Sequence, residues 1–246
     1  MESVVQCAVD TIRERYSEPL TLDDLADAAL VSKFHFLRVF SRVVGVTPGR
    51  FLSAVRLSEA KRLLSGTKLT VAEVSERVGY GSPGSFARRF TEAVCMSPTQ
   101  YRRLDRRELP TCRPGVEEGG PTGRGSVSGT VLADDHLDGV IFVGVFDSPI
   151  LQGHPIAWTT LCRPGPFVLR AVPSGSWYVH ALARRPDAPS VPGDAESAVV
   201  IDAVGPVAAE RTGRVDVNLT LRPPCWSCPP VLSALPFVGE SLLAAG

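Results

Sequence analysis

Arg38 and Arg88 occupy the same place in two copies of one pattern, and a guanidinium repeated in this way suits the bidentate reading of a guanine edge in duplex DNA. The matching positions are Ser32, Phe36, Arg38, Phe40, Pro48 and Phe51 in the first copy, and Ser82, Phe86, Arg88, Phe90, Pro98 and Tyr101 in the second. Apolar rows at helical spacing mean only a buried face, so Phe36, Phe40, Phe86 and Phe90 are assigned to a core. The repetition of Ser, Arg and Pro around them carries the inference further. Lys33, His35, Arg42, Ser85 and Arg89 surround the two arginines and can add contacts, mostly to phosphates. For His35 both a backbone contact and a base contact are open. The full set of candidate DNA-contacting residues is Ser32, Lys33, Phe34, His35, Leu37, Arg38 and Arg42 in the first copy, with Ser82, Pro83, Gly84, Ser85, Arg88 and Arg89 in the second.

A different chemistry is offered by Cys225-Trp226-Ser227-Cys228, a Cys-x-x-Cys held between Pro-Pro pairs. That spacing fits a redox pair or half of a metal site. Cys112, Cys162 or His154 could complete a tetrahedral set, although no spacing demands it. Cys7 and Cys95 fall on or near buried helical faces and read as small hydrophobes. His136, His154 and His180 have no ligand spacing among themselves. The carboxylate pairs Glu117/Glu118 and Asp134/Asp135 read as solvated. Trp158, Trp177, Tyr178 and Trp226 suit core packing, or the lining of a pocket. There is no phosphate-cradling glycine loop, nucleophile elbow or zinc-protease motif, so neither a catalytic residue nor a cofactor is expected.

The elements that must position the arginines are legible nearby. Ser32 and Ser82 stand where helix N-caps belong, their hydroxyls able to accept from the first free amides. Upstream of each lies a short helical run, capped by Thr21 and Thr70, with Asp23, Asp24 and Glu73 favouring the positive helix end. The offset there is one residue less, so the second copy has a longer turn, which holds Gly79. Short helix, tight turn, longer helix is the helix-turn-helix plan. Before the first copy, Val5, Ala8, Val9, Ile12 and Tyr16 share a helical face that Pro19 ends. Between the copies, Thr47-Pro48 opens a long helix through Phe51, Leu52, Val55, Ala60, Leu63 and Leu64 to Gly66. If the two longer helices read one face of B-DNA, their separation approaches one helical turn, about 34 Å, unless the DNA bends.

From roughly Val4 to Leu104 the chain resembles the DNA-binding domain of AraC-type (AraC/XylS) transcription regulators. The resemblance is carried by TLDDLADAALVSKFHFLRVFSRVVGVTPGRFL, RLSEAKRLL, LTVAEVSERVGYGSPGSFARRF and MSPTQYRR. It implies two helix-turn-helix units joined by a long helix, a sequence-specific regulator rather than an enzyme, and double-stranded DNA, RNA polymerase and a small-molecule effector as partners. Pro83-Gly84 and Leu37 depart from the family, standing where side chains able to bond to bases or phosphates are common. Some repair alkyltransferases join such helices to a catalytic domain, but their Pro-Cys-His-Arg acceptor is absent, and no His follows Cys225 to activate its thiol.

Composition supports two parts. The chain has 246 residues, 44% of them hydrophobic, and no net charge. Residues 1–108 hold 17 Lys/Arg against 13 Asp/Glu and the remainder 9 against 13, so the halves carry +4 and −4. Arg88/Arg89 and Arg102/Arg103/Arg106/Arg107 cluster in and after the second copy, where phosphates would be met. No signal-peptide pattern and no run of about 20 apolar residues is seen, which points to a cytoplasmic protein without membrane partners.

Beyond Leu109 the Pro/Gly-rich stretch PTCRPGVEEGGPTGRG reads as a linker over 109–124. The period then changes from 3.6 to 2: Val215, Val217, Leu219 and Leu221 alternate with polar residues. Further strands are predicted at Val127–Ala133, Val140–Phe146, Phe167–Val172, Trp177–Ala183 and Ala198–Val204, with a turn at Pro173-Ser174-Gly175. The fold class is therefore an all-α tandem helix-turn-helix domain (1–108) followed by an all-β sandwich (125–223), an effector or interaction module, and an apolar docking tail (224–246). The sandwich segment GPFVLRAVPSGSWYVHALA resembles transthyretin-like, carboxypeptidase-regulatory modules. Alternative readings are a thiol- or metal-responsive DNA-binding protein acting through Cys225 and Cys228, and a repair enzyme related to the alkyltransferase regulators.

Overall fold

The computed structural model describes residues 2–104, 125–133, 137, 139–185, 199–211 and 213–234. The linker 109–124, Arg106, Arg107, Cys112, the Glu117/Glu118 and Asp134/Asp135 pairs, His136 and the tail beyond 234 lie outside them. The chain forms two compact units, Met1–Leu104 with Cys225–Leu232, and Asp105–Pro224 with Ser233–Gly246.

The first unit holds α1 (Glu2–Arg15), α2 (Leu22–Ala28), α3 (Lys33–Val44), α4 (Pro48–Gly66), α5 (Val71–Arg77), α6 (Pro83–Val94) and α7 (Pro98–Arg103). Local chemistry starts α2, α4, α5 and α7. Thr21 and Asp24 form a capping box on α2, as do Thr70 and Glu73 on α5 and Ser97 and Gln100 on α7. Hydrogen bonds from the Thr21 hydroxyl and amide hold the Asp24 carboxyl below its ordinary range, and those from the Thr70 amide and hydroxyl do the same for Glu73. Thr47 caps α4 with Pro48 in the first turn.

The sequence repeat is a packing repeat. Phe36 lies 5.6 Å from Phe40, which lies 5.8 Å from Phe51. Phe86, Phe90 and Tyr101 repeat the ladder at 5.6 and 5.6 Å. All six rings are buried, so each copy closes its own small core between its longer helix and the first turn of the next one. The turns repeat as well. Leu30 and Gly79 both take left-handed backbone, at φ 56° and 80°. Their amides donate to Asp27 and Glu76, while the following amides of Val31 and Tyr80 reach back to Ala26 and Ser75. Gly79 is required twice over, because a Cβ there would stand 2.6 Å from the Ser17 carbonyl oxygen.

The second unit holds β1 (Gly125–Leu132), β2 (Ile141–Phe146), β3 (Ala157–Leu161), β4 (Gly165–Val172), β5 (Gly175–Arg184), β6 (Val199–Ala209) and β7 (Arg214–Thr220). One sheet has the order β4-β1-β7 and the other β3-β2-β5-β6. Their inner faces share a core that includes Val127, Val131, Ile141, Val143, Leu169, Val179, Ala181, Val217 and Leu219. This is the expected two-sheet β arrangement, with two differences. β3 has no counterpart among the predicted strands, because Ala157–Leu161 is an edge strand with only Thr159 buried and therefore lacks a full alternation. β1 and β7 run parallel, a pairing across some ninety residues that local patterns do not encode. They approach so closely that a Cβ on Gly129 would stand 1.6 Å from the Val217 carbonyl oxygen.

Candidate nucleic-acid interface

α3 and α6 each bury one stripe and expose the other. Phe36, Val39, Phe40 and Val44 face the core from α3, and Phe86, Phe90, Ala93 and Val94 do so from α6. Helical spacing therefore turns the remaining candidates outward. Ser32, Lys33, Phe34, Arg38 and Arg42 are exposed, as are Ser82, Pro83, Gly84, Ser85, Arg88 and Arg89, whereas His35 and Leu37 are half-buried. Phe34 is 79% exposed, a large aromatic left in water at the start of α3.

Four-residue steps align Phe34, Arg38 and Arg42 in one row on α3 and Gly84, Arg88 and Glu92 in the equivalent row on α6. The arginines match and their neighbours do not. An Arg38 Nη lies 3.4 Å from His35 Nδ1, so that nitrogen acts as acceptor in this arrangement. Arg88 instead reaches Glu92 at 3.5 Å, with both side chains more than half exposed. Lys33 pairs with Asp23 at 3.3 Å and sits 6.0 Å from the Phe34 ring centroid. These exposed pairs are weak enough to exchange for phosphate or base contacts.

The two N-termini also differ. Ser82 caps α6 as expected, accepting from the Ser85 amide, and its hydroxyl donates to Ser85 Oγ. Ser32 has the extended backbone of an N-cap, but its hydroxyl makes no capping hydrogen bond. Where the second copy has Ser85 the first has His35, so no hydroxyl at the third helical position holds the cap in place.

Three further expectations change. Arg102 donates to the Leu69 carbonyl and is half-buried, so it ties α7 to the chain before α5, while Arg103 stays exposed. Cys7 is exposed because the buried stripe of α1 runs through Val5, Ala8, Val9 and Ile12 and leaves position 7 on the other side. Cys95 is the left-handed C-cap of α6, the counterpart of Gly45 on α3. Among the described residues no group of three or more His, Cys, Asp or Glu could hold a metal ion, and Cys162 is disulfide-bonded.

Lys61 has no place among the residues that the sequence singles out. It lies on α4 only 8% exposed, and its Nζ donates to the Val231 and Leu232 carbonyls at 2.7 and 3.1 Å. A lysine on an amphipathic helix ordinarily reads as solvated. Its only sequence signal is its place among buried positions, between Ala60 and Leu63. No helix among the described residues is long and apolar enough to cross a membrane.

A family model described as a helix-turn-helix domain matches residues 25–104. The lactose operon transcription activator of Staphylococcus xylosus is 31% identical over 98 residues, which are 40% of this chain and 35% of that one. The Tn10 TetD protein of Escherichia coli is 35% identical over 101 residues, 41% of this chain and 73% of that protein. Among solved structures, the C-terminal domain of AraT, a response regulator from Geobacillus stearothermophilus, is 34% identical, with 41% of this chain and 84% of that one covered and a TM-score of 0.40. The chain spans about a third of the length of the first curated relatives it matches. With the repeated helix pairs, their shared aromatic cores and the likeness across nearly three quarters of TetD, the chain belongs to the AraC-type helix-turn-helix family of transcription regulators.

Proposed function

We propose that this protein is a sequence-specific DNA-binding transcription regulator, with α3 and α6 lying in two adjacent major-groove segments of one site. The observation that carries this reading is the pair of exposed arginines, Arg38 and Arg88, at equivalent places on two helices braced by equivalent cores. Each guanidinium can present two parallel donors to guanine O6 and N7. Lys33, Arg42 and Arg89 supply phosphate contacts, which fix register without reading sequence. Because Phe34 and Arg42 on α3 correspond to Gly84 and Glu92 on α6, the half-sites differ. The apolar Phe34 suits a thymine methyl or sugar contact, whereas Gly84 leaves the backbone free to approach closely. One chain carries both helices, so a monomer is sufficient on one site. The β unit acts as the effector-responsive or protein-contacting module, with RNA polymerase the partner of the DNA-bound chain in the cytoplasm.

The test is selection of binding sites by the full chain from random duplex DNA at fixed near-physiological salt, followed by affinity measurements on the enriched site. Two short unlike patches about one turn apart are expected. Arg38→Ala and Arg88→Ala should each cost about 1–3 kcal/mol on that site and relax base preference at one patch only, whereas Arg89→Ala should weaken all sequences alike. Equal loss on selected and random DNA for Arg38→Ala would remove it as a base reader.

A further inference from the structure

The Cys225–Leu232 segment belongs to the helical unit. It is held there from two sides: Arg13 on α1 donates to the Trp226 carbonyl at 3.2 Å, and buried Lys61 on α4 holds the Val231 and Leu232 carbonyls. Between these ties the chain makes a tight turn. The Cys228 amide donates to the Cys225 carbonyl at 3.0 Å, and the Cys225 amide points at Cys228 Sγ at 3.1 Å. Pro223-Pro224 and Pro229-Pro230 restrict the backbone on both sides of the turn. The two sulfurs stand 2.7 Å apart, with Cys225 exposed and Cys228 half-buried. A third group, the Ser227 hydroxyl, lies 3.2 Å from Cys225 Sγ.

We infer that Cys225 and Cys228 form a redox-active dithiol on the helical unit, which reacts with low-molecular-weight disulfides and closes to an intramolecular Cys225–Cys228 disulfide. The turn fixes the division of labour. Partial burial opposes ionisation of Cys225, but hydrogen bonds from Cys228 and Ser227 outweigh it and bring its pKa below the ordinary thiol value. Burial, together with the neighbouring Cys225, pushes Cys228 up to about 11. The exposed Cys225 is thus the attacking thiolate and the sheltered Cys228 the resolving thiol. Cys225 gives up its proton to solvent and attacks one sulfur of the disulfide RSSR. The S–S bond of RSSR breaks, a Cys225–S–SR mixed disulfide forms, and RS− leaves and takes up a proton. Cys228 then loses its proton and attacks the Cys225 sulfur, expelling the second RS−, which is protonated in turn. The sum is two thiols oxidised and one RSSR reduced to two RSH. A zinc site is the competing use of such a pair, but the two sulfurs supply two of four ligands, and no third His, Cys, Asp or Glu among the described residues joins them.

The experiment equilibrates the full-length reduced protein with glutathione and glutathione disulfide at a series of ratios, quenches with acid, and maps every cysteine peptide by mass. The expected result is a Cys225–Cys228 peptide lighter by two hydrogens, its ratio to the dithiol form rising in proportion to glutathione disulfide over the square of glutathione. Cys228→Ser should trap glutathione on Cys225, while Cys225→Ser should trap it on Cys228 at least about tenfold more slowly at neutral pH. Unchanged helical circular dichroism in both variants keeps the comparison interpretable. Absence of the linked peptide at every ratio would overturn the inference, as would equal trapping rates in the two variants or stoichiometric zinc that blocks oxidation.

Discussion

His180 gives the β unit a pH dependence whose size can be worked out in advance. The side chain is 1% exposed, on β5. Its Nε2 stands 2.9 Å from the Ser148 carbonyl oxygen, which can only accept, so the neutral ring carries its proton there and Nδ1 lacks a hydrogen-bond partner among the described residues. The Phe146 ring packs edge-on at 5.3 Å. Burial lowers the pKa from 6.5 to about 4, against smaller opposing effects of the Ser148 carbonyl and Asp202. The unfolded chain therefore binds the proton first, and stability is lost as pH falls from 6.5 toward 4. A factor of ten in proton affinity is worth about 1.4 kcal/mol, so the loss from this residue is about 2 kcal/mol at pH 5 and about 3 kcal/mol at pH 4. The assay is urea unfolding from pH 7 to 4, followed by tryptophan fluorescence in a Trp226→Phe background. The remaining tryptophans, Trp158 on β3 and Trp177 on β5, both belong to the β unit. His180→Gln keeps a donor for Ser148 and cannot titrate. Whatever its cost at pH 7, its stability should decline less steeply with acid than the parent's, by the amounts given. Parallel declines would refute a neutral buried His180.

The matched turns give opposite expectations: Gly79→Ala should destabilise the helical unit by about 2 kcal/mol or more, as strain adds to the clash with Ser17, while Leu30→Gly should stabilise it by up to about 1 kcal/mol, both read by thermal unfolding. Glu92→Gln releases Arg88 from its exposed ion pair and should raise DNA affinity severalfold at low salt, an effect that fades as salt is added. Lys61→Met keeps the stem and removes the ammonium that satisfies Val231 and Leu232, so a loss of about 1–3 kcal/mol is expected in chemical unfolding, with faster proteolysis of the 225–232 segment.

What could be read in advance divides by sequence distance. The caps at Thr21, Thr70 and Ser82, the proline start of α4 and the aromatic ladders all arise between residues a few positions apart, or within one helix pair. For that reason both copies were visible as text. The strands β1, β2, β4, β5 and β7, and β6 as far as Val204, are legible because each buries one face or both against the same core. Edge strand β3 buries too little to alternate clearly. The parallel β1–β7 ladder, the inward turn of Lys61 and the tie of Arg102 to Leu69 depend on segments far along the chain, so no local pattern announces them.

The same division separates what recurs on α3 and α6 from what does not. Conserving the fold of the two copies requires the ring ladder, the capped start and the left-handed turn, and these are the features that recur. Nothing in that packing constrains the outward row. Phe34 and Gly84, or Arg42 and Glu92, can therefore differ without disturbing Phe36, Phe40, Phe86 or Phe90 beneath them. Arg38 and Arg88 recur even though they are solvent-facing and contribute nothing to either core. Under the proposed function, that recurrence corresponds to a base edge that both helices meet, and the differences flanking it are what would let the two helices prefer unlike sequences.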